Sequence, residues 1–218
     1  MVHCIVCFIF EGNIMKVNQI GRSMVEMLGV LAIIGVLSVG AIAGYAKAMN
    51  KYKLNKQTYQ ISSILDYVQV NLESLRKSSS ETERYIAPFL TKLGIIPKEM
   101  IRPGDDLYVY DAFNNFIILG NYPSGKNFYF EMIVSILGNK DSCMNLFTIA
   151  KEKRKTIWRT KFYYVLSDKS GTGNEVYGDD YCTGNKKCLK DIKLTQAEEY
   201  CNICAEKETC TFYYQIKL

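Results

Sequence analysis

The stretch Met27-Leu-Gly-Val-Leu-Ala-Ile-Ile-Gly-Val-Leu-Ser-Val-Gly-Ala-Ile-Ala-Gly-Tyr-Ala46 decides how this chain is read. Its twenty residues carry no charge, and only Ser38 and Tyr45 bring polar side-chain groups. Wound as an α-helix, such a run rises about 30 Å, the thickness of bilayer hydrocarbon. It is longer than the apolar core of a secretory signal peptide. Its Ala- and Gly-rich end leads into a lysine-rich helical pattern rather than a mature start. Lys16 and Arg22 precede the run, and Lys47, Lys51, Lys53 and Lys56 follow it. A transmembrane helix over about residues 24–46 is the expectation.

Glu26 stands one position before the run. A carboxylate at the edge of hydrocarbon is costly unless it has a partner or a task. Upstream lie Ile20-Gly21 and then Arg22-Ser23-Met24-Val25-Glu26. With these residues the sequence resembles the type IV pilin and pseudopilin family, whose members carry a short basic leader ending in glycine, a glutamate as fifth mature residue, an apolar helix and an amphipathic extension. The resemblance implies cleavage between Gly21 and Arg22 by a membrane prepilin peptidase, which usually also methylates the new amine. It implies that Glu26 meets the free amino group of a neighbouring subunit in a filament. Opposite charges meeting in low dielectric attract strongly and relieve each other's desolvation. The chain departs from the family twice. Arg22 stands where many members have Phe, Met or Leu, which weakens the case for methylation. The apolar run also holds no proline, since the first in the chain is Pro88. Gly29, Gly35, Gly40 and Gly44 are its only weak points, and Gly40 with Gly44 forms a small-xxx-small pair suited to close helix packing.

Residues 1–21 form the leader. Met15-Lys-Val-Asn-Gln-Ile-Gly21 is complete by itself, so Met15 is taken as the true start. Residues 1–14, with Cys4 and Cys7, then read as a mis-assigned extension. His3 is the only histidine of the 218 residues, so the mature chain has none. That excludes a Ser-His-Asp triad, a Cys-His pair and histidine-ligated zinc. No GxxxxGK[ST] or GxGxxG phosphate loop is present either. At 48% hydrophobic and a net charge of +5, the chain is too apolar for a disordered tail.

Beyond the membrane, Ile61, Ile64, Leu65, Val68, Leu72 and Leu75 recur at three- and four-residue steps, the pattern of one buried helix face. With no proline or glycine between Tyr45 and Lys77, residues 22–77 read as one unbroken helix. Residues 78–218 form a globular head. Ser80 and Glu83 have capping-box spacing for a second helix, which takes in Pro88 and runs to Gly94. A turn with a short helical stretch follows over residues 95–101. Strand-like segments come next at 107–110, 116–119, 128–133, 157–165 and 209–218. Turn chemistry separates them at 103–105, 121–125 and 168–173. Strands after a long helix, without βαβ alternation, predict an α+β fold: the long N-terminal helix on an antiparallel sheet, with a disulfide-rich C-terminal region. Three short segments resemble the head of type IVb-like pilins: Leu93-Gly-Ile-Ile-Pro97-x-x-Met100, Asp111-Ala-Phe-Asn-Asn115 and Cys143-Met-Asn-Leu146.

Six cysteines follow Gly21: Cys143, Cys182, Cys188, Cys201, Cys204 and Cys210. The head of such a protein faces an oxidising compartment, so an even number implies disulfides, with fifteen possible connectivities. Zinc is the rival, because Cys201-x-x-Cys204 has ligand spacing, but the remaining cysteines do not complete a zinc-ribbon pattern. Cys143 resembles the cysteine with which pilins tie their C-terminal region to the sheet. Thr195 and Glu198 have capping-box spacing for a helix carrying Cys201. The pairing taken from this resemblance is Cys143–Cys201, with Cys182–Cys188 and Cys204–Cys210 as local loops. A bridge closing about sixty residues contributes about 4 kcal/mol in the chain-entropy model.

Lys151, Lys153, Arg154, Lys155, Arg159 and Lys161 form the densest basic stretch, with Lys186 and Lys187 beyond. The chain holds sixteen tyrosines and ten phenylalanines, some of which could stack on bases beside such a patch if it bound DNA. Glu152 interrupts it, and solvated loops are often basic, so the DNA reading ranks low. Trp158 is expected to pack in the head. An enzyme would have to work through carboxylates such as Asp105, Asp106, Asp179 and Asp180, and acidic pairs in glycine-rich turns are more often solvated, or at most weak calcium sites.

The resemblance thus implies a structural subunit rather than an enzyme, with no cofactor. Its partners would be identical or related pilin subunits, the prepilin peptidase and an inner-membrane assembly platform. It would sit in the bacterial inner membrane with the head outside the cytoplasm, then in a pilus. The alternatives are a type II secretion pseudopilin and an anchored disulfide-rich binding domain that never polymerises.

Overall fold

The computed structural model describes residues 24–78, 85–105, 107–124, 127–165, 170–171, 175–205 and 209–218. The chain divides into two compact units, Met1–Ala48 and Met49–Leu218. Helix α1 (Met24–Val70) supplies all the described structure of the first unit and opens the second.

The expected unbroken helix to residue 77 is corrected at Asn71. There α1 ends, and α2 (Leu72–Ser78) begins after one turn residue. The Asn71 side-chain amide donates to the Tyr67 carbonyl at 2.9 Å. Its backbone N–H is shared between the Tyr67 and Val68 carbonyls at 3.1 and 3.2 Å. A short amide side chain competing for helix carbonyls interrupts the regular ladder.

The Ser80–Glu83 cap lies outside the described residues. Helix α3 (Ala87–Lys92) carries Pro88 in its first turn, where the missing N–H costs nothing. It ends in a Schellman arrangement. Gly94 has φ +71°, its N–H bonds the Thr91 carbonyl, and the Ile95 N–H reaches back to Leu90. A single 3₁₀ turn follows at Lys98–Met100.

The sheet is built from β1 (Tyr108–Tyr110), β2 (Phe116–Ser124), β3 (Asn127–Leu137), β4 (Arg159–Val165), β5 (Ser170–Gly171), β6 (Glu175–Tyr177) and β7 (Thr209–Lys217). The order is β1-β2-β3-β7-β4-β5, with β6 also pairing with β4, and every pair is antiparallel. The fold is therefore α+β, as the sequence predicts. The turn expected from Asn121 is corrected, because β2 continues through Tyr122 and Pro123 to Ser124. β1 covers only Phe116 to Ile118 of β2. At Pro123 the strand is thus an edge, where a missing N–H is tolerated.

Helix α4 (Lys140–Glu152) occupies a stretch that the sequence reading left without a helix. Asn139 caps it, accepting the Ser142 N–H at 2.8 Å. Its buried face is Cys143, Leu146, Phe147 and Ala150, a helical spacing. In α5 (Leu194–Ala205) the cap is shifted from the expected Thr195. Gln196 reaches back to the Lys193 N–H at 3.0 Å, which makes Lys193 the cap residue and Gln196 the returning side chain.

One core joins these elements within the second unit. Ile61, Ile64, Leu65 and Val68 of α1 are fully buried, as are Leu146 and Ile149 of α4 and Leu119, Phe130, Met132, Val134, Phe212 and Tyr214 of the sheet. Phe147 meets Phe212 edge-on at 4.8 Å. The buried Tyr214 hydroxyl donates to the Leu146 carbonyl at 2.7 Å, which satisfies the one polar atom that ring brings inside.

Candidate functional site

Gly21 and Arg22, the expected cleavage pair, lie outside the described residues, as do Cys4, Cys7, Met15 and Asp106. Glu26 is described. It sits in the first turn of α1, where a carboxylate is favoured by the helix dipole, and it is exposed. The apolar side chains after it are bare on every side: Leu28 is 65% exposed, Ile34 53% and Val36 75%. The helix is long and apolar enough to cross a membrane. In water each such side chain would forgo about 1.5–3 kcal/mol of burial, so the segment requires lipid or protein around it. A Cβ added at Gly29, Gly35, Gly40 or Gly44 would meet nothing within 4 Å.

In the second unit the six cysteines form three bridges: Cys143–Cys201, Cys182–Cys188 and Cys204–Cys210, with Cα separations of 5.6, 5.5 and 5.6 Å. These are the three pairs written above. Cys201 and Cys204 are thus oxidised and offer no thiolate pair to zinc. Among the described residues no group of three or more His, Cys, Asp or Glu side chains is placed to hold a metal ion. The Cys143–Cys201 bridge clamps α4 to α5, and Cys204–Cys210 clamps α5 to β7.

The Asp111–Asn115 motif turns out to be the hub of a buried polar network that sequence reasoning did not foresee. Asp111 accepts from Gln57 Nε2 of α1 at 2.6 Å, the Phe113 and Asn115 N–H groups at 2.9 and 3.0 Å, and Asn115 Nδ2 at 2.9 Å. Ser142 Oγ at the start of α4 lies 2.7 Å from Gln57 Nε2 and 2.8 Å from Asn115 Nδ2. Gln60 Oε1 accepts the Ala112 N–H, and Asn145 Nδ2 donates to Gln57 Oε1 and the Leu54 carbonyl. Asn114 takes φ +68° inside this turn, a conformation Asn tolerates better than most residues. Burial pushes the Asp111 carboxyl upward, and the hydrogen bonds it accepts from Gln57, Asn115 and Phe113 pull the other way. The network fastens α1, the β1–β2 connection and α4 at one point. The available signal was Gln57, a polar residue on the same stripe as Ile61, Ile64 and Val68.

A second polar row crosses the other face of the sheet. Gln215 of β7 donates to the buried Glu131 of β3 and accepts from Arg159 of β4. Arg159 and Lys161 both reach Glu175 of β6 at 3.1 Å. Burial raises the Glu131 carboxyl above its ordinary range.

The basic stretch is largely engaged. Lys153 pairs with Asp66, Arg154 with Asp179 at 3.0 Å, and Lys151 donates to the Ile192 carbonyl. Lys186 lies over the Tyr177 ring at 4.5 Å. Trp158 packs edge-on against Tyr129 at 5.8 Å, with the Arg159 guanidinium above it. Of the acidic pairs, Asp105 accepts the Tyr110 hydroxyl at 2.6 Å, which holds its carboxyl below the usual value, and Asp179 is held by Arg154. No protein-family model matches the chain, and no curated protein does.

Proposed function

We propose that this chain is a structural subunit of a type IV pilus-like filament, held in the membrane and then in the filament by the first half of α1. The observation that carries the reading is the segment after Glu26: an uncovered apolar helix, headed by one carboxylate and continuing into an α+β head. Among the described residues nothing packs against its four glycines, which suits approach by a neighbouring helix. Leader removal at Gly21 frees the Arg22 amine, and that amine on one subunit neutralises Glu26 on the next. The head, pinned by three disulfides, is built for an oxidising exterior.

The test is the N-terminal sequence and intact mass of the protein recovered from membranes of its own host, followed by imaging of cell-surface fibres. A chain beginning at Arg22, found in fibres, supports the proposal. A chain that keeps its leader beside an active peptidase overturns it in favour of an anchored ectodomain. Processed protein confined to a secretion machine in the envelope would favour the pseudopilin role.

A further inference from the structure

Two of the three disulfides touch. Cys204 Sγ lies 3.7 Å from Cys143 Sγ, although the two belong to different bridges. The contact follows from the helix: Cys201 and Cys204 are three residues apart on α5 and so share one face. One reaches α4 and the other β7. All four cysteines are fully buried.

We infer that Cys143, Cys201, Cys204 and Cys210 act as one exchangeable cluster, in which reduction of either bridge ends at the same product: a Cys143–Cys204 disulfide with Cys201 and Cys210 as thiols. Thiol–disulfide exchange needs a thiolate within reach of a disulfide sulfur. Here the attacking and receiving sulfurs are neighbours before any bond is broken. Suppose a dithiol reductant opens Cys204–Cys210. The reductant becomes a disulfide, and its two electrons and two protons leave Cys204 and Cys210 as thiols. Cys204, as thiolate, attacks Cys143 Sγ. The Cys143–Cys204 bond forms as Cys143–Cys201 breaks, and the proton shed by Cys204 passes to the leaving Cys201 sulfur. If Cys143–Cys201 is opened first, the Cys143 thiolate attacks Cys204 Sγ instead, and Cys210 leaves. The second step consumes no oxidant or reductant in either route.

The 3.7 Å contact favours this internal attack, because a held neighbour competes at a high effective concentration against thiols from solution. The consequence is directional. The clamp between α4 and α5 survives a single reduction by either route, and the link from α5 to β7 is the one surrendered. Cys182 and Cys188, bonded to each other with their sulfurs against the Lys186 carbonyl, take no part in the exchange.

The experiment is limiting reduction of the full chain in detergent with dithiothreitol, followed by acid quenching, alkylation of free thiols and mapping of bridged peptides. The expected product carries label on both Cys201 and Cys210 and yields a Cys143–Cys204 peptide. Label on Cys204 and Cys210 with Cys143–Cys201 intact overturns the inference. So does product in which Cys143 or Cys204 is joined to Cys182 or Cys188, which would mean general scrambling. The Cys210→Ser variant asks the same question without a reductant, since Cys204 is then born unpaired. The Cys143–Cys204 peptide, with label on Cys201, is expected from it, and complete labelling of Cys204 in the folded variant would overturn the inference.

Discussion

Gln57 and Asp111 are 54 positions apart in the chain, yet the Gln57 amide donates to the Asp111 carboxylate at 2.6 Å in the interior of the head. The bond does more than join two residues. Gln57 also touches Ser142 and Asn145, so a single side chain of α1 holds both the β1–β2 connection and the first turns of α4. Replacing Gln57 by Ala takes one donor from the buried Asp111 carboxyl and one acceptor from the half-buried Asn145 amide. The expected loss of head stability is about 2–3 kcal/mol. Urea unfolding of the full chain in detergent, followed by near-ultraviolet circular dichroism, measures it. An unchanged midpoint would show that the network is dispensable.

The Glu131 carboxyl provides a pH test. Burial raises its folded value above the ordinary 4.5, with the Gln215 amide and the Lys161 and Arg159 charges opposing. The folded state therefore binds the proton more tightly than the unfolded state does. The stability linked to this group is fully present below pH 4.5 and is lost as the pH rises through the folded value. In Glu131→Gln that loss disappears. Unfolding free energies of the two proteins, compared from acid to neutral pH, should diverge in the variant's favour as the pH rises. Parallel curves would mean that Glu131 does not titrate differently on folding.

Glu26 lies in the first unit, exposed in the first turn of α1, and the head's core is built from residues of the second unit. Glu26→Ala should therefore leave thermal unfolding of the head unchanged while abolishing fibres. A charge left unpaired in low dielectric costs about 3–5 kcal/mol, more than about a hundredfold in an assembly equilibrium. Counting fibres by negative-stain microscopy at matched membrane levels reads the effect. Normal fibre numbers would remove Glu26 from assembly.

Gly178 marks a close crossing of backbones. Its N–H donates to the Trp158 carbonyl at 3.0 Å, and a Cβ at this position would overlap the carbonyl oxygens of Ile157 and Arg154. Backbone atoms cannot step aside as a side-chain tip can. Gly178→Ala is expected to cost about 2–3 kcal/mol, by analogy with overpacked cores. Differential scanning fluorimetry should show a clear fall in midpoint for this variant, whereas Gly104→Ala, at an exposed turn, should fall by less.

The elements that announce themselves by period were legible in the sequence. The 20-residue apolar run, the stripe from Ile61 to Leu75 and the five main strands all came from spacing alone. What escaped was decided by single side chains or by distant partners. Asn71 breaks a pattern that has no glycine or proline, through one amide bonded to one carbonyl. Helix α4 hid behind a polar start, Lys140-Asp-Ser, although Asn139 capped it and its apolar residues kept helical steps. β5 and β6 have two and three residues, too few to show any alternation. The buried network was invisible for another reason. Gln57 stood on the buried stripe of α1, but nothing in the sequence says that Asp111 and Ser142 will meet it there, because their partners lie far along the chain.

The place of β7 carries a last consequence, for biogenesis. It follows every other strand in the chain, yet it lies in the middle of the sheet, between β3 and β4. While the polypeptide is still being made, β3 and β4 have no strand to join them, and both present open edges. The sheet can be sealed only when residues 209–217 arrive. A head truncated upstream of them would be left as two halves with sticky margins, prone to aggregation and proteolysis. The sheet is therefore continuous only once residues 209–217 have taken their place between β3 and β4.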